Sequence, residues 1–360
     1  LEDSALNNNL EKIGLNQEIL NNFEIYKDGY LGRVIAEHKG SYKVTTDIDT
    51  LIAKVPGKLL YSSQGRESYP AVGDWVVLDR NDGSSGDAII NKILPRKSKL
   101  SRKIAGNTIE EQIIAVNIDT IFICMSLNRD FNLRRLERYI SISWDSGATP
   151  VVILTKADLC EDLDDKLSEV YNTAIGIEVL VVSSLKDAGI DKVKSIITNG
   201  STIAFLGSSG VGKSTLINKL LEEDKQLVSN ISEFNDKGRH TTTHRELIPL
   251  PFNGAVIDTP GMRELQLLDN SDGIDDSFSD IQELSNKCKF SNCNHNTEPG
   301  CAVKEAIENG TLSLDRFNSY KKLKKEALFM ESKINKSLKS EKKKEFIKIN
   351  KSQRKNKDIF

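Results

Sequence analysis

The sequence predicts a multidomain α/β protein on three observations. Short Val/Ile/Tyr-rich runs separated by turn residues occupy the first hundred positions, apolar strands alternate with helical stretches through the middle, and Cys and His crowd together near the end. At 360 residues and 38% hydrophobic content, the chain is long enough for two or three cores. No run of about 18 apolar residues is present, and residues 1–30 are polar and acidic rather than a basic leader before an apolar stretch. The expectation is a soluble, cytoplasmic protein without a membrane partner, with a monomer as the default. Residues 321–360 carry 15 Lys and Arg against 5 Asp and Glu, a net of +10 that leaves −12 for residues 1–320. That imbalance favours polyanion contact over a merely solvated helix.

The runs at 33–36, 42–45, 51–55, 75–78 and 88–94 read as five short strands, with turns at Gly73-Asp74-Trp75 and Asn81-Asp82-Gly83. They suggest a small barrel, and composition leaves an OB-fold and an SH3-like barrel equally open. Pro95-Arg96-Lys97-Ser98 with Arg102-Lys103 reads as a basic exit segment. Beyond Glu110 come strands at 121–125, 151–154, 179–182 and 203–206. Helical stretches follow them, starting near Leu133, running to Thr173, running to Ile197 and starting at Lys213; a further strand lies at 255–257. Such alternation means a parallel sheet covered by helices. Near the end, Phe317, Tyr320, Leu323, Ala327, Met330, Ile334 and Leu338 recur at three- and four-residue spacing and predict an amphipathic helix.

Gly207, Ser208, Ser209, Gly210, Val211, Gly212, Lys213 and Ser214, then Thr215, satisfy G-x-x-x-x-G-K-[ST] directly after one apolar strand and before a helix. Glycines allow the backbone to wrap phosphates with its N–H groups inward, and the helix start adds partial positive charge. Lys213 is then expected on the β/γ-phosphates and Ser214 on Mg²⁺. Asp258-Thr-Pro-Gly261 ends the strand at 255–257, where Asp258 can hold magnesium through water and Gly261 can approach the γ-phosphate. Between them, Gly238-Arg-His-Thr-Thr-Thr-His244 offers hydroxyls, of which Thr242 is the expected third magnesium ligand.

Thr155-Lys156-Ala157-Asp158 ends another strand. There a carboxylate can accept both guanine N1–H and N2–H while the lysine stem lies on the base plane; adenine presents no such donor pair. GTPases usually have Asn at the Thr155 position, so guanine selectivity is assigned mainly to Asp158 and Lys156. Ser183-Ser184 follows the next strand and can offer a backbone N–H to guanine O6. These base-reading segments precede the phosphate loop, the reverse of the usual order, so the domain reads as circularly permuted. Cys288-x₄-Cys293-x-His295-x₅-Cys301 matches a closed four-coordinate structural zinc site, and such clustering argues against disulfides.

On these motifs, together with Gly73-Asp-Trp-Val76, Pro95-Arg-Lys-Ser98, Asn117-Ile-Asp119, Phe131-Asn-Leu-Arg-Arg135 and Gly238-Arg-His-Thr-Thr-Thr243, the sequence resembles the RsgA or YjeQ family of small-ribosomal-subunit-dependent GTPases over about residues 30–325. The resemblance implies an OB-fold domain (30–105), a circularly permuted P-loop GTPase domain (106–268) and a helical zinc-binding domain (269–325); an N-terminal extension (1–29) and a basic helical tail (326–360), the latter a departure from the family pattern, flank them. It further implies late assembly of the small ribosomal subunit, contact with its rRNA, and GTP hydrolysis to GDP that is slow until the subunit binds. Met262 stands where Ras-like enzymes carry the water-orienting Gln, so His240 is the expected catalytic group beside Lys213 and Thr242, with rRNA contact as its other reading. Two further function classes remain at this point: a permuted GTPase for the large subunit, and an RNA-binding scaffold with structural nucleotide.

Overall fold

Apolar residues at alternate positions drive β2 (Ser41–Thr46) and β3 (Thr50–Lys54), whose Tyr42, Val44, Leu51 and Ala53 point inward. A computed structural model of the chain describes residues 8–26, 29–38, 40–56, 69–84, 86–103, 111–128, 130–222, 245–252, 254–258, 272–296, 298–329 and 332. Two short helices, α1 (Asn8–Lys12) and α2 (Gln17–Glu24), precede β1 (Tyr30–His38); Asn16 caps α2 by accepting the Ile19 N–H. With β4 (Trp75–Leu78) and β5 (Ala88–Ile93), the strands follow the order β1-β2-β3-β5-β4, and β4 returns to pair with β1. Every pairing in this barrel is antiparallel except β3 with β5. That closed five-stranded arrangement is OB-like and resolves the choice composition left open.

An antiparallel hairpin, β6 (Lys99–Lys103) and β7 (Glu111–Val116), comes next, where the sequence suggested only a basic exit segment. After it lie β8 (Thr120–Ser126), α3 (Leu133–Asp145), β9 (Thr149–Thr155), α4 (Leu163–Thr173), β10 (Glu178–Val181), α5 (Ile190–Ile196), β11 (Thr202–Leu206), α6 (Lys213–Leu221), β12 (Glu246–Pro249) and β13 (Ala255–Asp258). Their order is β10-β9-β8-β11-β13-β12, parallel throughout except for β12, which the sequence pattern does not predict. Strand alternation splits the core in two. Ile121, Ile123 and Met125 pack with α3, while Phe122 and Cys124 pack with α5 and α6.

The C-terminal module contains α7 (Asp272–Ser277), α8 (Ser279–Asn286), α9 (Ala302–Glu308) and a helix over residues 314–329, termed α10. Phe317, Leu323 and Ala327 are buried on α10, as their spacing predicted, whereas Met330, Ile334 and Leu338 lie outside the described residues. Arg316, only 6% exposed, docks the module on α3. It forms a two-bond pair with Asp280 of α8 (2.8 and 2.8 Å), reaches Glu137 of α3 at 3.3 Å, donates to Ser277 O, and lies 4.7 Å over the Phe278 ring. None of the described helices is long and apolar enough to cross a membrane.

Arg33 of β1 plays the corresponding role at the other end. It is 1% exposed, stacks 5.1 Å over Trp75, and donates to main-chain carbonyls of Ile13 (between α1 and α2), Gly73 (barrel) and Asn117 (between β7 and β8). Burial pushes its pKa down to about 10, opposed by Asp119 and Asp74, so it stays charged at neutral pH. Gly73 completes the seam. At φ +98° its backbone lies so near Val116 O that a Cβ would sit 2.2 Å away.

Arg33→Met would keep volume but strand these carbonyls, at a cost of about 3 kcal/mol. The melting temperature should fall by roughly 5–10 °C, and residues 8–26 should become protease-sensitive. Wild-type melting and cleavage would contradict this role.

Candidate functional site

The carboxyl ends of β11, β13 and β9 converge at one edge of the sheet, where doubly wound folds bind ligands. Gly207 leaves β11 at φ +146°, in a space where a Cβ would meet Cys124 O at 2.4 Å; the loop beyond it runs into α6, opened by Lys213, Ser214 and Thr215. Ser209, Gly210, Ser214 and Thr215 face solvent, while Val211 is buried and anchors the loop. Lys213 Nζ donates to Gly207 O and Ser208 O, both at 2.6 Å, so its ammonium is held over the loop it belongs to. Asp258 ends β13, one residue past the Ala204↔Ile257 rung with β11.

Lys156 adopts φ +58° at the end of β9, which swings Asp158 back toward the segment after β10. Ser183 Oγ donates to Asp158 Oδ1 at 2.5 Å, and Ala157 N–H donates to Val182 O. The Ser183 hydrogen bond, partly offset by desolvation, holds the Asp158 carboxyl below its ordinary range. It is therefore an ionised acceptor throughout the neutral range, as pairing with two guanine N–H groups demands. Ser184 is half-buried beside it.

Thr155 is 3% exposed, and its hydroxyl donates to Val211 O of the phosphate loop at 2.5 Å, with Met125 O at 3.5 Å. The Thr-for-Asn departure thus keeps a polar tie between the 155–158 segment and the phosphate loop, a link that spacing alone could not reveal. Thus the structure brings together residues 207–215, 155–158, 183–184 and Asp258. His240, Thr242 and Gly261 lie outside the described residues.

Two residues near this edge carry no signal in the sequence. Tyr139 of α3 shares a hydrogen bond with Ser208. Arg245, next after His244, donates to Ile113 O at 3.0 Å. Burial pushes its guanidinium below the ordinary value, while nearby Glu37 opposes the shift. Neither residue belongs to a recurring motif, and a single Tyr or Arg has no periodicity to betray it.

In the C-terminal module, one donor atom each from Cys288, Cys293, His295 and Cys301 lies within 4.8 Å of the others. Cys288 and Cys301 sulfurs are 3.9 Å apart, and His295 Nδ1 lies 3.6 and 3.4 Å from them. Tetrahedral zinc with bonds of about 2.0–2.3 Å requires edges of roughly 3.5–3.8 Å, so the donor set fits that ion. Burial lowers the His295 pKa and favours the neutral, ligating imidazole. Its Nε2 faces Ser285 Oγ at 3.2 Å, and that hydroxyl already donates to Ile281 O. Ser285 must therefore accept from Nε2–H, which makes Nδ1 the nitrogen that would bind a metal here.

Comparison with known proteins shows which family and fold the chain resembles. A family model described as RsgA GTPase matches residues 93–268, and one described as 50S ribosome-binding GTPase matches residues 202–351. Small ribosomal subunit biogenesis GTPase RsgA 2 of Lactiplantibacillus plantarum is 48% identical over 318 residues, covering 88% of this chain and 89% of that protein. RsgA 1 of Oceanobacillus iheyensis is 44% identical over 337 residues, covering 92% and 96%. The crystal structure of YjeQ from Thermotoga maritima matches with a TM-score of 0.62 at 25% identity, covering 83% of this chain and 98% of that one. YloQ, described as a circularly permuted GTPase, matches with a TM-score of 0.59 at 28% identity, covering 83% and 95%.

Thr155→Val should weaken GDP and GTP binding alike by about tenfold, because a buried carbonyl loses its donor, and Thr155→Ser should restore it. Unchanged affinity of the valine variant in fluorescent-nucleotide titration would show that the tie does not hold the site. A strong chelator should release about one zinc per chain and reduce helical circular dichroism through loss of the C-terminal module. Metal analysis finding no zinc in the purified protein would refute the assignment.

Proposed function

The chain belongs to the RsgA family of GTPases, and from this premise we propose that it acts as a GTP-driven switch in late assembly of the small ribosomal subunit, with hydrolysis stimulated by that subunit. The observation carrying this reading is that the loops at 207–215 and 155–158 are tied together by Thr155 and Val211 although the chain visits them in reverse order. In the proposed site, backbone N–H groups of residues 207–215 cradle the phosphates and Lys213 exchanges its loop carbonyls for β/γ oxygens. Asp158 accepts from guanine N1–H and N2–H, Lys156 covers the base, and Ser183-Ser184 faces O6.

Ser214, Thr242 and Asp258 form an all-oxygen donor set suited to magnesium, which supplies charge neutralisation on the phosphates. His240 is the proposed group that orients the attacking water, since Met262 has no polar head. Cys288, Cys293, His295 and Cys301 hold structural zinc, and the ribosomal contact is with rRNA. Such a protein works in the cytoplasm, and a single copy suffices for the proposed site.

A second reading, a GTPase of the large subunit, draws on the 202–351 match. That match spans the phosphate half and the C-terminal module, whereas the RsgA relatives align over most of the chain and include the barrel. GTP turnover should rise with isolated small subunits, stay low with large subunits or none, and be absent with ATP. In His240→Ala, stimulated kcat should drop by roughly 10²-fold while nucleotide affinity persists. Stimulation by large subunits instead would favour the second reading, and full stimulated turnover in His240→Ala would remove that residue's role.

A further inference from the structure

Barrel and GTPase sheet form one continuous eleven-stranded sheet, joined where β1 meets β12. Among the described residues the join is a single rung, Ala36↔Glu246, placed just after the bulge in β1 between Val34 and Ala36. A bulge bends a strand and re-aims its edge; here β1 serves both the closed barrel and its neighbour. On its other side Glu246 pairs with Asp258. Ala36, Glu246 and Asp258 therefore stand in line across three strands, and Asp258 lies only two strand spacings, about 10 Å, from the barrel.

Arg245 reinforces this line. Half-buried, it donates to Ile113 O of β7 at 3.0 Å and lies in the field of Glu37 on β1 and Arg102 on β6. It is also the residue at which the chain passes from the hydroxyl-rich segment ending in His244 into β12. Three structures thus converge on one side chain: the barrel wall, the β6–β7 hairpin, and the strand that pairs with the magnesium-binding Asp258. We propose that Arg245 is a positioning residue that couples contact at the barrel to the phosphate end of the site. A partner pressing on β1 or the hairpin displaces the Arg245–Ile113 bond and the Ala36–Glu246 rung, and β12 passes the displacement to Asp258.

This inference rests on the proposed subunit-stimulated hydrolysis, so its test has one arm that needs no subunit. Backbone hydrogen exchange across β1 should differ between the GDP-bound protein and the protein bound to a non-hydrolysable GTP analogue. In Arg245→Ala that difference should vanish. Arg245→Lys, which keeps a donor for Ile113 O and a charge opposite Glu37, should restore part of it and also controls for misfolding. With small subunits, the ratio of stimulated to basal kcat should fall about tenfold in Arg245→Ala, within the usual range of coupling between sites, at unaltered KM for GTP. Exchange in β1 that ignores the nucleotide, or an alanine variant that keeps the wild-type exchange difference or kcat ratio, overturns the inference. Wild-type protein that small subunits do not stimulate would sink the functional reading instead, and the exchange arm alone would then decide the coupling.

Discussion

A guanidinium removed from water must find acceptors, and the structure of this chain is organised around how Arg33 finds them. Its partners are main-chain carbonyls of Ile13, Gly73 and Asn117, drawn from the N-terminal helices, the barrel and the link between β7 and β8. A planar fork of donors bonding to backbone fixes where three chain segments lie and how they face one another. Lysine's three donors rotate on a flexible stem and would fix these directions less firmly than the planar guanidinium does. Around this centre Asn117 donates to Gly73 O and accepts from Lys97 N, while Asp119 pairs with Lys97 and accepts from Thr202 N. Beside this seam β1 lies alongside β12 and extends the sheet.

The motifs that carry the family resemblance acquire a physical meaning here. Gly73-Asp74-Trp75, Pro95-Arg96-Lys97-Ser98 and Asn117-Ile118-Asp119 are remote from the phosphate loop in sequence, and none touches it. Asp74 is fully buried and clamped by Arg96 Nε and Nη2 at 2.7 and 2.6 Å, while Ser98 Oγ bonds both the N–H and the C=O of Ile118. Each residue satisfies a buried polar group at the junction of two units, where an unsatisfied one would be costly. Their combination is specific because the seam admits few substitutes.

How legible the molecule was depended on whether the governing constraint was local. The phosphate loop, the parallel strands and the Cys/His module announce themselves because spacing or periodicity alone dictates them. β12 has only Leu247 and Ile248 before Pro249, too short a run to register, and its existence depends on β13 and β1 flanking it. The N-terminal helices are polar apart from a few residues, and Leu10 and Ile13 are buried only because distant segments cover them. Thr155 was readable as a departure from Asn, but the direction of its hydroxyl was not, since that depends on the phosphate loop some fifty residues later.

Circular permutation gives these attachments their consequence. The barrel joins the GTPase unit at β12 by one backbone rung, Ala36 with Glu246, and Glu246 is held on its other side by Asp258. The C-terminal module joins at α3 through Arg316, Glu137 and Asp280, a largely buried charge network held by side-chain electrostatics and packing. That same helix presents Tyr139 to Ser208 of the phosphate loop. The two modules thus reach the phosphate end by different physical routes, one along β12 to Asp258 and one along α3 to Ser208. An assembly partner touching both could bias the site from two sides at once, and neither route requires the partner to approach the nucleotide.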